Sequence, residues 1–171
     1  MRFNKCDENL YIGGNTVKFK NPMLVVKDIE RAKEFYKQVL GLKTIMDFGA
    51  NVTLTGGVSL QTVESWAEFI HKGTDEINFC GNNVELYFEE DEFDDFIKKI
   101  NLIENIDYVH PIFEHSWGQR VVRFYDLDKH IIEVGENLKI VCKRFLDSGL
   151  TMEETAKRMD VPIKFVQECI G

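Results

Sequence analysis

The chain has 171 residues, 44% of them hydrophobic, and a formal net charge of −8 from 29 Asp and Glu against 21 Lys and Arg. That length can bury a core without disulfide staples, and the acidic balance repels phosphate backbones, so nucleic acid is not expected as a main partner. Cys6, Cys80, Cys142 and Cys169 form no C-x-x-C pair, Met1–Val17 lacks the apolar stretch of a signal peptide, and no run of about 18 apolar residues is present; a cytoplasmic protein with reduced thiols and no membrane segment is the expectation.

Residues 1–17 form a polar leader without periodicity: a native arm, a misassigned start or an engineered remnant. From Phe19 the pattern sharpens. Phe19–Val26 reads as a strand, and Asp28 is a good N-cap with Glu30 in the first turn, where the helix dipole favours a carboxylate. Ile29, Ala32, Phe35, Tyr36, Val39 and Leu40 recur at helical spacing up to Gly41, a C′ stop. Leu42–Phe48, Asn51–Thr55 and Val58–Val63 follow as strands, parted by Gly49-Ala50 and Gly56-Gly57. The order is β-α-β-β-β.

The same order returns. Asn83–Phe88 is a strand, and Phe93, Phe96, Ile97 and Ile100 make a helix face after an acidic start at Glu89–Glu92. Val109–His115, Gln119–Tyr125 and His130–Gly135 are strands, the last two joined by a turn expected over Asp126–Lys129. Two modules, 18–64 and 83–136, are thus joined by 65–82, where Trp66 and Phe69 offer an aromatic pair suited to a lid. Residues 137–171 form a helical extension: an apolar face from Leu138 to Leu146, a stop at Gly149, a capping box at Thr151-Met-Glu-Glu154, and a third helix after Pro162. Its layout is similar to a helix-turn-helix. Yet residues 138–171 hold six Lys and Arg against five Asp and Glu, a net of +1, far from a phosphate-binding footprint. Packing or dimer contact is the expected role.

Pro22-Met-Leu-Val-Val-Lys-Asp-Ile-Glu-Arg-Ala-Lys-Glu-Phe-Tyr-Lys-Gln-Val-Leu-Gly-Leu42 resembles the opening of a vicinal oxygen chelate domain, through Phe35-Tyr36 and Leu40-Gly41. Asp126-Leu-Asp-Lys-His-Ile-Ile-Glu133 resembles the closing hairpin of that superfamily, with Leu127 and Lys129 in place of Pro and Gly. The superfamily holds glyoxalase I, bleomycin-resistance proteins, fosfomycin-resistance enzymes and extradiol dioxygenases. The resemblance covers residues 18–136 and implies an α+β fold, two βαβββ modules forming a curved sheet around a cavity, and a homodimer.

The resemblance also assigns a ligand set. Metal enzymes of the superfamily bind a divalent ion through the first and last strand of each module, positions that are Asn21, Gln61, Asn83 and Glu133 in this chain. Three amides and one carboxylate form a degenerate metal site, poor for Zn, Ni or Fe and at most a weak holder of a hard ion. No cofactor is expected. His71, His110, His115 and His130 stand off those strand positions. A four-residue turn would set Val122 opposite Glu133 and place Arg120 on the same face, as an anchor or an internal ion pair. His115 and Trp117 would stand at the rim. Two functions follow: a bleomycin-resistance-like protein binding a small organic molecule through Asn21, Gln61, Asn83, Arg120, His115 and Trp117, or a glyoxalase-like lyase or isomerase with Glu133 as base and a weakly held divalent metal.

Overall fold

The computed structural model describes residues 17–170, so the leader, Val17 apart, lies outside the described residues. The first helix shows why the chain folds as its sequence suggests. The Asp28 carboxylate accepts from the Arg31 N–H, and Gly41 closes the helix in the left-handed conformation (φ 72°) with its own N–H on Lys37 O. Between these caps α1 (Ile29–Leu40) turns Ala32, Tyr36 and Val39 inward. It joins β1 (Met23–Val26) to β2 (Thr44–Asp47), β3 (Asn51–Leu54) and β4 (Ser59–Thr62). The sheet order is β1-β4-β3-β2, with β1 parallel to β4 and the other pairs antiparallel.

A short helix, α2 (Val63–Phe69), follows β4 without a break, a helix the sequence pattern does not announce. The second module repeats the first: β5 (Glu85–Glu90), α3 (Phe93–Ile100), β6 (Asp107–Glu114), β7 (Arg120–Tyr125) and β8 (Ile131–Glu136), in the order β5-β8-β7-β6. No helix among the described residues is long and apolar enough to cross a membrane.

Both sheets bury their helix-bearing faces in one core. Leu24, Val26 and Leu60 of the first sheet join Val122, Phe124 and Ile132 of the second around α1 and α3. Each such side chain contributes about 1.5–3 kcal/mol when fully buried. Polar bonds fix the modules across this core: Tyr36 Oη donates to Asp126 Oδ2 at 2.8 Å, and Lys99 Nζ to Val39 O at 2.9 Å. Strand side chains alternate, so the opposite faces, one carrying Gln61 and the other Glu133, both turn away from this core.

Three helices complete the chain: α4 (Leu138–Asp147), α5 (Met152–Met159) and α6 (Ile163–Ile170). They enclose a second, separate core of Val141, Cys142, Ala156, Met159, Val166 and Cys169. Burial first, and Cys169 second, push the Cys142 thiol up to about 12, so this thiol is a packing group. Thr151 and Glu154 form the capping box read from the sequence.

Candidate functional site

The connection between β7 and β8 decides what faces Glu133. It spans five residues, closed by Asp126 N–H to His130 O at 3.0 Å, and Asp126 Oδ1 accepts from the N–H groups of Asp128 and His130. Lys129 takes a left-handed φ of 70° to complete it. Tyr125 therefore pairs with Ile131, and Arg123 with Glu133. This corrects the expected pairing of Val122 with Glu133, since a one-residue shift sends every side chain of a strand to the other face. Arg120 consequently lies on the helix-bearing side. It donates to Asp94 at 2.8 Å and to the buried Glu136 at 2.7 Å, where Arg144 also donates at 3.1 Å. These carboxylates hold the Arg120 guanidinium well above its usual range, Glu136 foremost.

Arg123 stands where Arg120 was expected. It forms an ion pair with Glu133, donates from Nε to Glu85 at 3.0 Å, and lies 3.2 Å from His110 Nε2. Glu133 is 5% exposed, and among the described residues Oε2 receives no well-aligned hydrogen bond beyond that ion pair. Along the same face runs a polar chain. Trp117 Nε1 donates to Gln119 Oε1 (3.1 Å), Gln119 Nε2 donates to Tyr87 Oη (2.8 Å), and Tyr87 Oη donates to Glu89 (2.9 Å). Aromatic rings line its edge: Phe113 meets His115 edge-on at 5.1 Å, and His115 stacks on Trp117 with centroids 4.0 Å apart and planes 7° from parallel. Burial first, then Arg123 and His110, hold the His115 imidazole below the usual histidine range, favouring its neutral form.

The other family positions lie apart from this face. Gln61, buried on the first sheet, donates to Ser65 of α2 at 2.9 Å, and its Oε1 faces Asn51 Nδ2 at 3.5 Å. Asn21 donates to Ser59 Oγ at 2.6 Å. Asn83 lines a different cleft of about 340 Å³ with Trp66 and His130. The donor set does not fit a transition metal: three neutral amides, two of them committed to hydrogen bonds, and one carboxylate committed to a guanidinium. Among the described residues no three His, Cys, Asp or Glu side chains converge as a metal site needs.

The structure thus brings Glu133, His115 and Trp117 to one face, and places Arg120, Asn21, Gln61 and Asn83 elsewhere. Arg123, Tyr87, Glu85 and Gln119 join that face although the sequence reading names none of them as a site residue, and His110, set aside there as off the ligand positions, joins it too. In the strand expected over Asn83–Phe88, alternation reaches Glu85 and Tyr87, so a signal for those two existed, although β5 begins only at Glu85 and leaves Asn83 outside it. Nothing local marks Gln119.

Residues 19–139 match the model of the Glyoxalase-like domain. The chain belongs to the glyoxalase-like family. The glyoxalase-like domain is similar to a protein of unknown function from Agrobacterium tumefaciens str. C58, with 39% identity, a TM-score of 0.64, and coverage of 75% of this chain and 99% of that one. It is similar in fold to a glyoxalase/bleomycin resistance protein/dioxygenase from Nocardioides (18% identity, TM-score 0.60, 73% and 86% covered). It also shares its fold with a lactoylglutathione lyase from Agrobacterium tumefaciens (21% identity, TM-score 0.56, 72% and 96% covered). Among curated proteins no relative matches. The glyoxalase-like chain is thereby a member of the vicinal oxygen chelate superfamily, with its two-module fold and an added helical region.

Proposed function

We propose that this glyoxalase-like chain binds a small organic molecule on the open face of its second sheet, without a catalytic transition metal. One observation carries the reading: Glu133, the remaining strong ligand type at the family positions, is ion-paired with Arg123 beside a stacked His115–Trp117 pair. Among the described residues, Glu85, Glu89 and Glu133 outnumber the single guanidinium on that face. A planar cation suits it best, with its ring on the aromatic rim and its charge toward Glu85 and Glu89. Arg120, salt-bridged on the other side, has no part in this contact.

The molecule works as a homodimer in this reading. Met23, Met46, Tyr87 and Phe113 stand exposed on the two open faces, and a second copy would cover them. A cytoplasmic location agrees with the scattered cysteines, which form no C-x-x-C pair.

A glyoxalase-like lyase or isomerase is the second reading, favoured by a buried carboxylate kept at the family position. It requires Glu133 to part from Arg123 before acting as a base.

Metal analysis of purified protein, followed by thermal shift with Ni, Zn, Mn and Mg, separates the two. The expected result is no stoichiometric metal and an unchanged melting temperature. A bound metal lost on Glu133→Ala would overturn the binding reading. Titration with proflavine, a planar cation, should show saturable binding that weakens at least about tenfold in Trp117→Ala, the loss of roughly 1.4 kcal/mol.

A further inference from the structure

We infer that the C-terminal three-helix bundle is a positioning element for the aromatic rim, holding Trp117 and His115 in their stacked pose from the side away from the ligand face. The inference rests on the reading that this face binds ligand. The bundle reaches the turn between β6 and β7 from two helices. Arg144 of α4 donates to Gly118 O at 2.6 Å, and Arg158 of α5 donates to Ser116 O. The carbonyl groups on both sides of Trp117 are therefore held by guanidinium groups from outside the sheet.

Phe145 supplies the third contact. Gly118 adopts φ +88°, and a Cβ built there would come within 2.2 Å of the Phe145 ring. The ring occupies the space a side chain would need. Arg144 and Arg158 each lie 5.5 Å from its centroid, so one aromatic ring organises both donors. The base is anchored as well, since Arg144 shares the buried Glu136 with Arg120. Glu136 O in turn accepts from Gln119 Nε2, the residue that receives the Trp117 indole N–H.

A bundle that only completed a core would present apolar side chains alone to the sheet. This one presents two cations to main-chain oxygens of a single turn, the turn carrying the stacked pair. The turn closes itself through Gly118 N–H to His115 O (2.8 Å) and His115 N–H to Gln119 O (2.9 Å). With the two guanidinium contacts, its peptide groups are tied from both sides. The family match ends at residue 139, the second residue of α4. The clamp is thus an addition to the common fold.

The experiment reads Trp117 alone, in a Trp66→Phe background of the full chain. Acrylamide quenching of its fluorescence is compared between that protein and the same protein carrying Arg144→Ala and Arg158→Ala, with circular dichroism as a check on the fold. The expected result is at least a twofold rise in the quenching constant. An unchanged constant in folded protein overturns the inference. If the double variant fails to fold, Gly118→Ala is measured with and without Phe145→Ala: relief of its effect on Trp117 by the second change supports the clamp, and no relief overturns it. Proflavine titration of the unmutated chain tests the underlying reading separately. Absence of dye binding with a risen quenching constant defeats the ligand face and leaves the clamp standing.

Discussion

Asp126 accepts four hydrogen bonds, from Tyr36 Oη, His130 Nδ1 and the N–H groups of Asp128 and His130. Burial pushes its carboxyl up, but the His130 and Tyr36 bonds outweigh that and hold it below the usual 3.8. A depressed folded value means that the stabilisation is complete above 3.8 and is lost as the pH falls through the lower folded value. Asp126→Asn should therefore remove one component of the acid limb. The difference in urea midpoint between wild type and variant should be largest at neutral pH and shrink below pH 3.8. A difference that stays constant down to pH 2.5 (roughly the working limit of such titrations) would refute the assignment. Glu133 obeys another logic. Its partner Arg123 is largely enclosed but keeps Glu85, so Glu133→Ala should cost less than the roughly 3 kcal/mol of a fully orphaned buried charge.

At the scale of elements, two glycines separate backbone strain from crowding. Gly41 and Gly118 both have positive φ, but among the described residues an added Cβ meets nothing within 4 Å at Gly41 and the Phe145 ring at Gly118. Gly41→Ala should cost about 1 kcal/mol from conformation alone. Gly118→Ala should cost about 1–3 kcal/mol more, because overpacking adds to it. Chemical denaturation of both variants checks the order, and equal losses would contradict the Phe145 contact. The same elements show what a sequence discloses. The caps of α1 were legible, because Asp28 and Gly41 act on their own helix termini. The length of the β7–β8 turn was not. It depends on where the Asp126 carboxylate places its bonds and on Lys129 adopting a conformation usually left to glycine. That single residue moved Arg120 off the candidate face and Arg123 onto it. The helix α2 also escaped notice, since Thr62 and Val63 continue the strand pattern with no breaker between them.

For the whole molecule, two modules share one core on their helical sides, and on the remaining faces Met23, Met46, Tyr87 and Phe113 stay exposed although Gln61 and Glu133 are buried. The outer strands β2 and β6 are exposed as well: Ile45 and Phe48 lie on or beside one, Val109 and Ile112 on the other. Sedimentation should find a dimer at micromolar concentration, and Met46→Glu with Phe113→Glu should shift it to monomer while circular dichroism stays the same. A monomeric wild type would remove the dimer from the proposed function. The repeated order of strands made the fold legible, whereas the relation between Gln61 and Glu133 was not, because it depends on how two complete modules meet. No local pattern encodes that meeting.

The bond between Tyr36 and Asp126 spans 90 residues of chain. A ribosome adds ~5–20 residues each second. The first module therefore emerges ~5–20 s before the carboxylate that its buried hydroxyl requires. Until then α1 has half a core and an unanswered phenol. The newborn chain consequently waits, with Val26, Val39 and Leu60 still short of the Phe124 and Ile132 that will cover them. The length of chain between Tyr36 and Asp126 sets how long that interval lasts.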